Sequence, residues 1–177
     1  MISPVIGVDD VFTVTPTISV SPAYTAEDQI GGVNTITNAF KVIARPQFDP
    51  KTAQGFQNQQ QNGKIVIQSI HLIDKAKVNQ TVVCYFFNQQ PSMTSVDNGA
   101  FDLTDAEMLK CVGWVSLDSG YESSSSNAST TKTNIGLLIK QDPAATTNSI
   151  WMVAKIKGAG TFASTTDLVF QIGVYCD

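Results

Sequence analysis

At 177 residues, with 42% apolar and 15% charged side chains, the chain is long enough for one domain with a buried core, and its charge lies well below the roughly 25% of an average globular protein. A net charge of −4 at pH 7, with no cluster of Lys and Arg, excludes a nucleic-acid binder, which needs a basic stripe to displace counterions. No apolar run approaches the roughly 18 residues of a membrane-spanning helix, and Met1-Ile2-Ser3-Pro4-Val5-Ile6 has no basic residues ahead of an apolar stretch, so the sequence predicts a chain folded in a cytosol.

Residues 1–11 are apolar and proline-bearing without a period. They read as an extended arm, with Ile2, Val5, Ile6 and Val8 as candidate contacts with a neighbouring molecule. The domain proper, 12–177, opens on Phe12 to Ser21. There Phe12, Val14, Ile18 and Val20 alternate with Thr and Ser, which predicts a half-buried strand. Pro16 cannot donate to a ladder, so this strand is an edge strand or contains a break. Tyr24 to Gly32 reads as a loop ending in a glycine pair, and Val33 to Phe40 as a weaker strand. The Gln- and Asn-rich stretch from Arg45 to Gly63 reads as a long exposed loop.

Lys64 to Asp74 and Thr81 to Asn88 are apolar on both faces, as in strands covered on both sides, and Lys75 to Gln80 is a turn of hairpin length between them. Thr104-Asp105-Ala106-Glu107 matches a capping box and predicts a helix of two turns. Val112 to Leu117 returns to strand, and Asp118 to Thr131 is Ser- and Thr-rich and reads as a loop. Asn134 to Lys140, Ser149 to Lys157 and Asp167 to Tyr175 are three further strands. About eight strands with one short helix predict an all-β fold, a β-sandwich with jelly-roll topology.

The residues offer no apparatus for catalysis. The one histidine, His71, has no Gly-x-Ser-x-Gly or recognisable cysteine setting to supply a nucleophile. Cys84, Cys111 and Cys176 lack metal or redox spacing; Cys84 lies in an apolar run and reads as a buried thiol, while a disulfide between the other two is left open. The acidic segment Asp97 to Asp105 has its glycine too early for a helix–loop–helix calcium site, and its residues read as turn and helix-cap groups. Gly31-Gly32 lacks the lysine and helix of a phosphate loop. No cofactor or metal is expected, and a structural or binding role is expected in place of an enzymatic one.

An ordered series of short pieces carries a resemblance. It comprises Tyr24-Thr25-Ala26 with Gly31-Gly32, Ile67 to Asp74, Phe87-Asn88 with Pro91, Asp97 to Ala106, Thr133 to Leu137 and Ser164 to Leu168. Taken in order over most of the chain, these resemble small accessory proteins of tailed-bacteriophage particles, the virion structural or head-decoration proteins. The resemblance implies a β-sandwich, a homotrimer, and the major capsid protein as partner. It places the protein on the outer surface of the virion after synthesis in the host cytoplasm. It carries over no catalytic residues, and the insert from Gln54 to Gly63 is longer than that pattern. On this reading the arm lies across a neighbour or the capsid, burying apolar area at about 25 cal/mol per Å². The other reading kept open is a head- or tail-fibre module that recognises a host surface glycan or protein with its loops at 45–63 and 118–131.

Overall fold

Leu168, Phe170, Ile172 and Val174 alternate with Val169, Gln171, Gly173 and Tyr175, and all four are buried on one side of a strand, β9 (Leu168–Cys176). A computed structural model of the chain describes residues 10–40, 63–93, 96–118, 120–144 and 147–176. Strand β9 lies in a five-stranded sheet of order β1-β9-β3-β7-β6. Its other members are β1 (Asp10–Val14), β3 (Lys64–Asp74), β6 (Glu122–Ser123) and β7 (Ala128–Lys140). A second sheet has the order β2-β8-β4-β5, formed by β2 (Gln29–Ile36), β4 (Val82–Phe87), β5 (Cys111–Leu117) and β8 (Ile150–Ile156). Every pairing is antiparallel, and the fold is an all-β sandwich. Between the sheets lie the side chains whose burial drives folding, among them Ile67, Ile70, Leu72, Phe86, Leu117, Met152, Phe170 and Ile172.

The expected edge-or-break at Pro16 takes both forms. Strand β1 is an edge strand, and it leaves the ladder after Val14. The sheet already includes Asp10 and Val11, so it reaches two residues into the stretch read as arm. Beyond β1 the alternation continues without a ladder: Ile18 is buried, but Val20 stands in solvent instead of joining the core. Gly31 and Gly32 do not end a loop; they sit inside β2 as a bulge, both with positive φ, and the strand starts at Gln29.

Three other expectations are corrected. The Lys75 to Gln80 turn does not close a hairpin, because β3 pairs with β7 and β9 while β4 pairs with β5 and β8. It carries the chain from one sheet to the other. Asp74 organises that crossing: its buried carboxylate accepts the Asn79 amide at 2.8 Å, and Lys77 and Asn79 turn with positive φ. Burial pushes the Asp74 carboxyl above its ordinary range, against the pull of the turn amides. The loop read from Asp118 to Thr131 contains β6 and the first residues of β7, Ala128 to Thr131, since Ser and Thr satisfy strand geometry as readily as loop geometry. The helix α1 (Asp105–Met108) is one turn long, not two.

Candidate functional site

The two sheets treat their outer faces differently. The outer face of the four-stranded sheet carries Phe87, Trp151 and Val153, buried beneath Met93, Phe101 and Leu103 from the β4–β5 connection. That connection is tied down by backbone bonds from Gln29 N–H to Gly99 O at 2.8 Å, Asn98 N–H to Gln29 O at 2.9 Å and Phe101 N–H to Glu27 O at 3.0 Å. Lys155 lies 4.9 Å from the Phe101 ring centre and 5.6 Å from that of Tyr85, and its Nζ is 2.6 Å from Glu27. Lys157 holds the other Glu27 oxygen at 2.8 Å, and the two lysines keep that carboxyl below its usual range. These charges fasten the cover to the sheet, and the apolar cover over Tyr85 and Phe87 explains why β4 reads as apolar on both faces.

Within the same cover the capping box is half formed. The Thr104 hydroxyl accepts the Glu107 amide at 3.3 Å, but the Glu107 carboxylate does not return to Thr104. It accepts the Ser92 amide at 2.8 Å and pairs with Lys110 at 3.0 Å, so it joins the two ends of the connection. The Lys110 ammonium holds the Glu107 carboxyl below its ordinary value of 4.5. A lowered pKa in the folded state means stability that is complete above 4.5 and lost as pH falls through the folded value. Glu107→Gln is therefore expected to remove part of the acid destabilisation of the wild type. Melting curves taken from neutral pH down to about pH 3 check this, and parallel pH profiles of the two proteins would refute it.

At the far edge of this sheet β5 has no strand partner beyond β4 among the described residues, and its sequence, Cys111 to Leu117, has no charged residue. Trp114 is 61% exposed there, and the adjoining α1 turn presents Leu109 at 89% and Met108 at 44%. An open, uncharged edge with exposed Trp, Leu and Met is the composition of a protein contact.

The outer face of the five-stranded sheet has no cover among the described residues. The ladder registers place its side chains in cross-strand rows: Val169, Ile73 and Ser129; then Thr13, Gln171, His71 and Thr131; then Val11, Gly173, Ser69 and Thr133; then Tyr175, Val66 and Leu138. The first of these rows continues to Glu122 of β6, opposite Ser129, and the other three contain no Asp, Glu, Lys or Arg. Lys64 and Lys140 stand opposite each other just beyond the last row, and neither has a carboxylate within 4.0 Å among the described residues. Solvated sheet faces ordinarily carry charge, and charge is what interface cores lack.

A third feature is an open cleft of about 360 Å³ lined by Asn88, Gln89, Gln90, Asp142, Thr147 and Trp151. Gln141 shapes its rim by donating to Thr147 O at 3.2 Å and Asn148 Oδ1 at 3.0 Å. Amides, a hydroxyl, a carboxylate and an indole are groups that bind neutral polyols.

The arm residues Ile2, Val5, Ile6 and Val8 lie outside the described residues, as does the loop 45–62. His71 sits in the second row of the uncovered face with its Nδ1 2.7 Å from Thr131 Oγ1. Cys84 is fully buried, which pushes its thiol pKa far up, and Cys111 is a free, half-buried thiol, which removes it from the disulfide left open above. Asp97, from the acidic segment, accepts Ser19 N–H at 2.6 Å, Tyr24 O–H at 2.5 Å and Gly31 N–H at 2.5 Å. Among the described residues no three His, Cys, Asp or Glu side chains are grouped to hold a metal ion. The charge-free rows and the cleft escaped the sequence because they join residues from separate strands. Their one linear signal was the low charge of the Ser- and Thr-rich segments. No protein-family model matches this chain, and no curated protein matches its sequence.

Proposed function

We propose that this protein is a virion structural protein that decorates and stabilises a bacteriophage capsid, binding the major capsid protein lattice as an oligomer, a homotrimer on the family resemblance. The observation that carries the reading is the uncharged open edge β5 with exposed Trp114, Leu109 and Met108 beside it. An apolar Trp-centred patch is the usual anchor of a protein interface. The topology of a jelly roll belongs to the same reading and is supported by nested strand pairing: β1 with β9, β2 with β8, β3 with β7 and β4 with β5. High copy number on a particle makes modest affinity per contact sufficient. Saturable binding to expanded heads, with a rise in their resistance to heat, is the expected result, and Trp114→Ala is expected to weaken that binding about tenfold or more. No binding to any head form would overturn the proposal.

The cleft beside Trp151 favours a second reading, a head- or tail-fibre module that binds a host surface glycan. Its test is glycan binding by the isolated protein that Asp142→Ala abolishes; a protein that retains no glycan from a broad panel would dismiss it.

A further inference from the structure

We propose that the N-terminal arm of one copy docks along the uncovered face of the five-stranded sheet of a second copy, joining the copies by exchange of arms. The inference does not depend on the capsid reading, since it concerns two copies of this chain alone. It starts from the pattern of the arm, in which Ile2, Val5, Ile6 and Val8 are followed by Asp9 and Asp10. The sheet presents a matching pattern. Its terminal row of Tyr175, Val66 and Leu138 is apolar, with Leu138 46% exposed, and Lys64 and Lys140 lie immediately beyond it without acidic partners among the described residues. Carboxylates at the base of a neighbour's arm would meet the two lysines, and the apolar residues would follow onto the row and the two rows behind it, which hold no Asp, Glu, Lys or Arg.

Two further observations choose this face. The outer face of the other sheet is already closed by the chain's own residues Met93, Phe101 and Leu103. Reach and direction then favour a neighbour over the same chain. Nine extended residues span about 30 Å, while the five strands of the sheet are about 19 Å across at ~4.8 Å per gap. Asp10 pairs with Val174, next to Tyr175, so β1 enters the sheet from the end that carries the lysines. Residues before Asp10 would have to reverse to lie on their own sheet, and a turn of three or four residues would leave too few to cover the row. A second copy needs no reversal.

The test uses the full chain in a background of Cys111→Ser and Cys176→Ser, with Cys84 left buried. Protein carrying only Ile6→Cys is mixed with protein carrying only Leu138→Cys and oxidised mildly. A covalent dimer in the mixture, reversed by reductant and much weaker in either protein alone, is the expected result. Cross-linking confined to a chain bearing both cysteines, with no dimer in the mixture, would place the arm on its own sheet and overturn the proposal. A strong dimer from Leu138→Cys alone would mean that the faces pack on each other, and it too would overturn it. Absence of any cross-link would do the same. Removal of residues 1–9 is expected to lower the solution mass measured by light scattering to that of one chain; an unchanged oligomer would count against arm exchange.

Discussion

Gly31→Ala is expected to destabilise the protein by about 3 kcal/mol, while the same change at the next residue, Gly32→Ala, costs only about 1 kcal/mol. Both glycines have φ near +67°, at 67° and 66°, so both substitutions incur the cost of a left-handed conformation with a side chain. The difference lies in the space around them. A Cβ on Gly31 would stand 2.2 Å from Pro16 Cβ, whereas one on Gly32 meets nothing within 4 Å. The first variant must therefore push apart the bulge of β2 and the segment that follows β1, a form of overpacking that costs roughly 1–3 kcal/mol. Pro16→Gly removes the opposing atom and is expected to recover part of the loss in the double variant, whereas Pro16→Ala keeps the Cβ and recovers none. Urea denaturation of the wild type, the two glycine variants, the two Pro16 variants and the two double variants measures this directly. If Gly31→Ala proves no worse than Gly32→Ala, the contact with Pro16 does not constrain the fold.

That contact also shows where sequence reading stops. The alternation in β9 and the two-faced apolar run of β4 are local, and both predict their strands correctly because side-chain period and burial act along one segment. The Gly31-Gly32 pair is equally visible as a pair, but its role depends on Pro16, which reaches it only after the chain has crossed between sheets. For the same reason Lys75 to Gln80 has the length of a hairpin and serves as a crossing. Turn length fixes how sharply the chain reverses, and the partners of β3 and β4 lie far away in sequence. The start of β7 was hidden by composition, because Ser and Thr occupy loops and solvent-facing strand positions alike. The outer face was half legible: Ser69, His71 and Ile73 share one side of β3 by parity, but Val66 has the opposite parity and joins them only through the bulge between Ile67 and Ser69, and only the ladder sets these residues beside Tyr175, Gln171, Thr131 and Leu138.

Asp97→Ala is expected to be about as costly, near 3–4 kcal/mol, because hydrogen bonds to a charged group are each worth roughly 1.5–3 kcal/mol and their losses overlap. The carboxylate joins three separate pieces of chain: the segment after β1 through Ser19, the approach to β2 through Tyr24, and the bulge through Gly31. Tyr24 is 1% exposed and stacks edge-on against Phe162 at 5.3 Å, and its hydroxyl, whose oxygen accepts the Ser19 N–H at 3.0 Å, loses the acceptor of its own proton without Asp97. Burial, followed by the bond to Asp97, pushes the Tyr24 pKa far above its ordinary value of 10.0, and the group stays a donor throughout the physiological range. Tyr24→Phe deletes only one of the three donors and should cost about 1.5 kcal/mol. Asp97→Asn is not a conservative replacement here, because its amide would turn a donor toward one of the incoming N–H groups. Hydrogen exchange supplies a local readout: the Ser19 and Gly31 amides should lose protection in Asp97→Ala well before amides in the middle of β9. Equal protection in variant and wild type would mean that the carboxylate is a bystander. Loss at both amides together would establish Asp97 as the tie that sets the post-β1 segment against the bulge, and so fixes the edge strand into which the arm leads.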